Sequence, residues 1–369
     1  MSLQSLTKCP IVFTFLVLGL LINLVQAVLY ISIPKTLFRK LNYYLVYGLQ
    51  GYLLSLGDWC SNNVVNVYCS KNMQEMIKKK EVEHALCLMN HHTELDWLYA
   101  WMLGDRLGIL GNCRAFVKDS LKYVPILGWS WAMSDMIFLK REWEKDQETM
   151  IEKINILVDY PSPMWLLLFP EGTRFTAEKH QACLRFAGQS KLPLLLHHLT
   201  PRTKGFSFIV DNVDREKLKA VYDVTLVVGE GSAPFNVNSI INGRPTIGNI
   251  LVRRIPIDTI PKDKVESAAW LHNLYKEKDD FKHNFLTTGN FYQDCTFVTP
   301  PRRMASLVLL VITNLMVLIP MLYSVVICGW MMRAVVFLLG GISMVAMKMI
   351  EDSTKIDKSS TYGNNNKNQ

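Results

Sequence analysis

Uncharged apolar stretches lie near both ends of the chain, and shorter apolar runs punctuate its middle. From Pro10 to Ile33 the sequence PIVFTFLVLGLLINLVQAVLYISI carries no charge. At about 1.5 Å per helical residue this run reaches about 36 Å, enough to cross a bilayer core of about 30 Å. It is longer than the core of a secretory leader, and no small-x-small cleavage pattern closes it. A retained membrane anchor is therefore expected. Leu41 to Leu56 is aromatic, apolar and uncharged. That pattern fits either a membrane interface, where tyrosine is at home, or an ordinary buried helix. Ala305 to Trp330 is again uncharged, and after Arg333 a shorter apolar stretch runs from Ala334 to Met347. The pair reads as a hairpin or a re-entrant segment. Glu351 to Gln369 is polar and rich in Asn, Lys and Ser, the composition of a disordered tail.

Between these ends the pattern alternates. His84–Met89 is a short apolar run that stops at a polar cluster, and it predicts a strand. Helical character follows over Thr93–Leu103. Further strands are expected at Arg114–Val117, Met136–Leu139, Met164–Phe169, Leu192–Leu199, Val221–Val228 and Ile250–Ile255. Helical periodicity covers Trp143–Tyr160, and a charged helix runs from Lys264 to about Phe285. Continuous apolar strands imply burial on both faces, so the expected fold is α/β: a central, mostly parallel sheet flanked by helices, with membrane helices at both ends. The expected partition is an anchor and interfacial helix over 1–60, a catalytic domain over 61–300, a transmembrane hairpin over 301–350 and a tail over 351–369.

Composition agrees with a membrane setting. Half of the 369 residues are hydrophobic, and the net charge is +8. A basic balance suits an anionic membrane surface or phosphate-bearing substrates. The basic residues are scattered, and nucleic acid is not an expected partner. The eight cysteines form no CxxC pair and no metal-ligand spacing, which favours reduced, buried thiols. No metal is expected. His91, His92, His197 and His198 could imitate a metal cluster, with the last two in a predicted strand, but no carboxylate or cysteine at ligand spacing joins them.

The candidate chemistry follows the first predicted strand, in Asn90-His91-His92-Thr93-Glu94-Leu95-Asp96. A helix opening here would fold Asp96 back towards the His91 ring. The carboxylate would then hold one ring nitrogen protonated and aim the other outward. This is the base half of a Ser-His-Asp triad without its nucleophile, a part that a substrate hydroxyl can supply. His92 is the less suitable base, because neighbours at such a junction point in different directions. A second element, Phe169-Pro170-Glu171-Gly172-Thr173-Arg174, follows the strand MWLLLF. Gly172 permits a tight turn, Arg174 offers a planar fork for phosphate, and a following helix would present its amides to an anion.

The pairing of N-H-x4-D with a downstream E-G-T-R resembles the signature of the glycerolipid acyltransferase superfamily. Two intervening blocks are similar to that family as well. One is Lys118-x-x-Leu121-x-x-x-Pro125-x-x-Gly128, running on to IFLKR with Arg141. The other is Leu192-Pro193, followed by Pro201-Arg202-Thr203-Lys204-Gly205. YVPILGW, EGTRFT, HHLTPRTKGF, AVYDVTL and WLHNLYKEKD resemble the gamma/delta branch of the 1-acylglycerol-3-phosphate O-acyltransferases. The likeness covers nearly the whole chain. Three departures stand out: Lys140 where an Asp is common, Ser134 where many members have Gly, and Phe169-Pro170 in place of the branch's usual Cys. They leave the choice of acceptor open.

The resemblance implies an acyl-CoA-dependent transfer onto lysophosphatidic acid, with His91 as general base and Asp96 orienting it. Lys118, Arg141, Glu171, Gly172, Thr173 and Arg174 become the phosphate-binding set, with Glu171 and Gly172 shaping the loop. Asn90, Pro125, Gly128, Phe169, Pro170, Pro193, Pro201 and Arg202 complete the motifs, and the block from Pro193 is linked to acyl-CoA use or to site structure. Acyl-CoA is a co-substrate, and no cofactor is implied. The alternatives are an acyltransferase for lysophosphatidylinositol or a lysocardiolipin, and an inactive membrane scaffold. Only Lys8 precedes the first apolar run, whereas Lys35, Arg39 and Lys40 follow it. This asymmetry predicts a cytosolic catalytic domain, and the resemblance together with the apolar segments implies a multi-pass protein of the endoplasmic reticulum membrane.

Overall fold

The computed structural model describes residues 3–327 apart from 80, 141, 293 and 294, together with the isolated residues 330, 334, 338, 341 and 345. The chain opens with α1 (Leu3–Ser32), α2 (Lys35–Ser55), β1 (Val64–Cys69) and α3 (Lys71–Lys79). The site-bearing half follows: β2 (Ala85–Met89), α4 (Asp96–Leu107), β3 (Cys113–Lys118), α5 (Leu127–Ala132), β4 (Ile137–Leu139), α6 (Trp143–Val158), β5 (Trp165–Leu168), α7 (Ala177–Gln189) and α8 (Thr203–Asn212). It ends with β6 (Ala220–Val228), α9 (Val237–Ile241), β7 (Ile247–Pro256), α10 (Lys264–Thr288), β8 (Thr296–Val298) and α11 (Met304–Ile327).

Among the described residues the strands form one eight-stranded sheet in the order β4-β3-β5-β2-β6-β7-β1-β8. The run from β4 to β6 is parallel throughout. β7 then pairs antiparallel with β6, β1 parallel with β7, and β8 antiparallel with β1. The expected α/β architecture is therefore present, with an antiparallel turn on one side. Every residue of β2 is buried, as its unbroken apolar run requires. Ala85, Cys87 and Met89 face a core shared with α3 and α4, while Leu86 and Leu88 face a core built with α6, α8 and α10. Thus the period of two divides the strand between two helical layers.

Local signals fix the helix ends. The Asp263 carboxylate accepts the amides of Val265 and Glu266 at the start of α10, and Gly289 closes that helix at φ 76°. Thr176 caps α7 by accepting the Lys179 amide.

One expected strand is absent. Leu192–Leu199 runs as irregular chain with no sheet partner. Its apolar character serves another purpose: Leu195 and Leu199 turn inward, while the Asp279 carboxylate takes the amides of Leu196 and His197 at 2.7 and 2.8 Å. A side chain thus replaces a neighbouring strand as hydrogen-bond acceptor. Conversely, β1 and β8 were not expected, nor were α3 and α8, while α7 is the helix expected after the E-G-T-R loop. The helix expected over Thr93–Leu103 begins only at Asp96, because the preceding residues form the turn that holds the site.

The terminal helices pack together. α1 lies on α2, and α11 contacts both. Pro10–Ser32 and Met304–Ser324 are each long and apolar enough to cross a membrane. α2 rests on the catalytic domain: Tyr43 donates its hydroxyl to the Gly108 carbonyl at 2.8 Å, and Arg39 pairs with Asp135 at 3.5 Å. The second leg of the expected hairpin and the polar tail lie outside the described residues, the five isolated positions apart. The six described cysteines are free thiols, Cys60 and Cys69 included.

Candidate active site

Five parallel strands carry their carboxyl ends to one edge of the sheet, which is where open α/β sheets bind ligands. β2 delivers Asn90 and His91, β5 delivers Phe169 to Arg174, and β3 ends on Lys118. Asn90 is fully buried and fixes the exit of β2: its side-chain amide donates to the Leu226 carbonyl at 3.0 Å, and its carbonyl accepts the Leu226 amide at 2.7 Å. The chain leaving β2 is thereby tied to β6 before it turns.

The turn closes on Asp96. This carboxylate is fully buried, yet surrounded by donors. Its Oδ2 accepts the backbone amides of His92 at 2.6 Å and Thr93 at 2.9 Å, and its Oδ1 accepts the Thr93 hydroxyl. Standing in the first turn of α4, the anion also meets the favourable end of the helix dipole. His91 Nδ1 lies 2.9 Å from the same Oδ2. With Nδ1 protonated towards the carboxylate, Nε2 remains as proton acceptor. The His91 side chain is one-quarter exposed, and its ring stacks on Phe169 with centroids 4.4 Å apart. The ring is therefore held on one side by charge and on a face by packing.

Glu171 points inward. Its carboxylate accepts the backbone amide of His91 at 3.0 Å and that of Leu199 at 3.3 Å, so one side chain ties the histidine loop to the chain after α7. Burial pushes its carboxyl up to about 8, against the downward pull of those two amides and of Lys282. Two backbone bonds reinforce the tie: Phe175 donates to the His91 carbonyl at 2.9 Å, and Arg202 to the Pro170 carbonyl at 2.8 Å. Gly172 takes φ 68°, in the left-handed region, directly beneath the Arg202 side chain. Arg174 has its guanidinium 3.8 Å from Glu94 and is partly exposed. The Lys179 ammonium lies beside it, donating to the Thr173 hydroxyl at 2.8 Å. Burial lowers that lysine first, and the charge of Arg174 lowers it further.

The motif residues divide by location. His91, Asp96, Phe169, Pro170, Glu171, Gly172, Thr173, Arg174 and Arg202 converge on one patch. Lys118 is exposed at the end of β3 on the same edge, with β5 between it and β2. Pro125 and Gly128 lie in the turn before α5 and at its start, and Pro193 lies in the irregular chain after α7. Pro201 is buried just before α8. Arg141 lies outside the described residues. His92 lies tilted against Phe175, and burial depresses its imidazole to about 4.

A layer of buried charge beneath the loops was not foreseen. Asp223 on β6 is fully buried and pairs with Lys278 of α10, while Arg253 donates to its other oxygen at 2.8 and 2.9 Å. Against the upward push of burial, these two cations hold the Asp223 carboxyl below its ordinary value. One turn on, Lys282 reaches the His197 carbonyl at 3.4 Å, and Asp279 accepts His198 Nδ1 at 2.8 Å. No local signal set Lys278 and Lys282 apart on a helix read only as charged. His197 and His283 are hydrogen-bonded at 3.3 Å. Among the described residues, no group of three or more His, Cys, Asp or Glu is placed to hold a metal ion.

Comparison with known proteins fits this arrangement. An acyltransferase family model matches residues 65–228, and an acyltransferase C-terminus model matches residues 239–313. The human 1-acyl-sn-glycerol-3-phosphate acyltransferase delta is 37% identical over 375 residues, covering 100% of this chain and 97% of that protein. The chain belongs to the 1-acyl-sn-glycerol-3-phosphate acyltransferase family. The mouse delta enzyme is 38% identical over 98% of this acyltransferase and 96% of its own length. The human gamma enzyme is 37% identical over 95% and 93%. The first family model spans β1 to β6 and so contains the whole dyad edge of the acyltransferase, while the second begins in α9 and contains the α10 charges beneath it.

Proposed function

We propose that this acyltransferase transfers an acyl group from acyl-CoA to the free hydroxyl of lysophosphatidic acid, giving phosphatidic acid and free CoA. The observation that carries the reading is the oriented His91–Asp96 dyad on a partly exposed sheet edge, beside Arg174 and Lys179. His91 Nε2 takes the proton of the acceptor hydroxyl as its oxygen attacks the thioester carbonyl. The tetrahedral intermediate collapses, the C–S bond breaks, and the departing thiolate receives the proton from the imidazolium. Asp96 stabilises that imidazolium and fixes its tautomer. Arg174, with Lys118 and Arg141, grips the acceptor phosphate. Glu171, buried against two amides, shapes the loops and does not touch the ligand. No cofactor enters the scheme. The protein is membrane-associated through α1 and α11; residence in the endoplasmic reticulum membrane with the catalytic domain in the cytosol suits a donor made in that compartment.

Purified enzyme in phosphatidylcholine vesicles tests this. With acyl-CoA as donor, lysophosphatidic acid should be acylated at least about 10-fold faster than monoacylglycerol, the worth of one charge-assisted phosphate contact. Equal rates would remove the phosphate site from the scheme. Preference for lysophosphatidylinositol or a lysocardiolipin would reassign the acceptor while keeping the dyad.

A further inference from the structure

Among the described residues, Ile126 is one of four non-glycine positions with positive φ. This residue holds φ 69° and ψ −71°, and the Leu127 amide donates to the Pro125 carbonyl at 2.8 Å. That is the rare, strained hand of the three-residue γ-turn. A β-branched side chain is poorly suited to it, because positive φ crowds the branched carbon against the backbone. Such a turn persists only where its surroundings impose it.

α1 imposes it. Ile126 is buried, and its Cγ2 fills the notch left by Gly19, where an added Cβ would lie 2.3 Å away. One turn along α1, the Asn23 side-chain amide donates to the Ile126 carbonyl at 3.1 Å and to the Gly19 carbonyl at 2.8 Å. Asn23 is thus a buried polar group within the uncharged apolar run of α1, a costly placement that marks use. On the other side, Gly128 lets α5 begin against the Leu121 carbonyl, where a Cβ would lie 2.1 Å from that oxygen. Held at both ends, the loop cannot slide. It hangs from Lys118 on the edge that carries His91, and it exposes Leu121, Tyr123, Val124 and Trp129 beside the middle of an apolar helix.

We infer that Gly19 and Asn23 are positioning residues for the acceptor. By holding Ile126 in its strained turn they set the Lys118–Trp129 loop at the depth from which a lysophospholipid leaves the bilayer for the dyad. α1 is then a working part of the acceptor side as well as an anchor. This rests on the assignment of Lys118 to the acceptor.

The test uses the full chain in phosphatidylcholine vesicles. Asn23→Leu keeps α1 apolar and removes the grip on the turn. It should raise KM for lysophosphatidic acid by about 10-fold, the value of one buried hydrogen bond, while kcat and the KM for acyl-CoA stay within about 2-fold. Adding Ile126→Gly to that variant should restore the acceptor KM to within about 3-fold of wild type, because glycine adopts the turn unaided. A purely structural Asn23 would behave differently, since a second cavity would deepen the defect. Equal movement of both KM values, or no rescue by glycine, overturns the inference. Should Asn23→Leu fail to insert, Gly19→Ala supplies the same lesion and Ile126→Ala relieves it. A wild-type enzyme inactive on lysophosphatidic acid would refute the acceptor assignment instead, and the same KM comparison would be read on the acceptor it does use.

Discussion

The histidine loop and the α10 charge layer meet at the same sheet edge, yet they are built in opposite ways. The loop is local: six consecutive residues, from His91 to Asp96, make the dyad, and four donors from within them satisfy one carboxylate. The layer is long-range: Lys278 and Asp223 are far apart in sequence, both fully buried, and meaningful only once β6 and α10 have packed. A site that must touch substrate needs partial exposure, and short-range bonds can hold it without a deep core. A layer that ties α10 to the chain after α7 must be buried, and burial of charge demands partners from elsewhere in the chain. The contrast predicts that lesions in the loop remove chemistry and lesions in the layer remove stability.

The sharpest way to break this comparison is at the proposed base. His91→Ala should lower turnover by about 10²- to 10⁴-fold, the usual worth of a positioned general base, and leave the thermal midpoint of the solubilised enzyme nearly unchanged. Asp96→Asn should also cost most of the activity. His92→Ala should be mild, since that ring packs on Phe175 instead of facing the carboxylate. A large drop in midpoint for His91→Ala would erase the distinction between the regions.

Lys278→Met probes the other side. It leaves Asp223 buried with one cation in place of two, and breaking a buried pair costs about 3–5 kcal/mol. The midpoint should fall by more than about 6 °C in a protein of this size. Lys217→Met, at an exposed pair with Asp159, should leave it nearly unchanged. Circular-dichroism melts of both variants decide the matter, and equal melts would mean the buried layer carries no special load.

Arg174→Ala lies between the two regions. Its guanidinium is partly exposed beside Glu94, on the loop that Glu171 ties down. The substitution should reduce use of lysophosphatidic acid relative to monoacylglycerol by about 10- to 100-fold, the range for a charge-assisted phosphate contact. Lys118→Ala should act in the same direction but less sharply, because an ammonium lacks the planar fork. A loss equal on both acceptors would assign these cations to the fold.

The same contrast explains what was legible in the sequence. The dyad and the E-G-T-R loop could be read because their spacing is set by one turn of chain, whatever surrounds it. The parallel strands could be read because β2 and β5 are apolar throughout, as burial on both faces demands. Leu192–Leu199 was misread as a strand for the same reason: an apolar run reports burial, not pairing, and here Asp279 takes the amides a neighbouring strand would have bonded. β1 was missed because VVNVYC is interrupted by the polar Asn66 and lies between polar flanks. The α10 charges were read only as part of a charged helix, since nothing local distinguishes a buried lysine from an exposed one. The inward turn of Glu171 was hidden likewise, because its partners, His91 and Leu199, are remote in sequence.

The smallest expected effect sharpens the comparison through pH. His198 belongs to the buried layer: Nδ1 bonds Asp279 at 2.8 Å, the Tyr275 ring stands edge-on, and Lys278 and Lys282 lie close enough to disfavour a second positive charge. Burial, above all, depresses its imidazole to about 3. The unfolded chain takes up a proton near the ordinary histidine value of about 6.5, which the native state refuses. Stability from this residue is therefore complete above about pH 6.5 and is lost as pH falls towards about 3. Between pH 7 and pH 5 the loss is about 2 kcal/mol, or roughly 4–8 °C in the midpoint. His198→Asn should keep a donor for Asp279 and remove that share, so its midpoint should fall less between the two pH values than the wild type's. His92, depressed to about 4 by burial, adds a slope of the same sign that the variant retains. Thermal midpoints at pH 5 and pH 7 read the difference. The pH profile of turnover should be the same in both proteins over the range where both stay folded. An unchanged midpoint difference would mean His198 is not held neutral by its surroundings. A shifted turnover profile would mean the layer reaches into the chemistry, and the two regions would have to be treated as one.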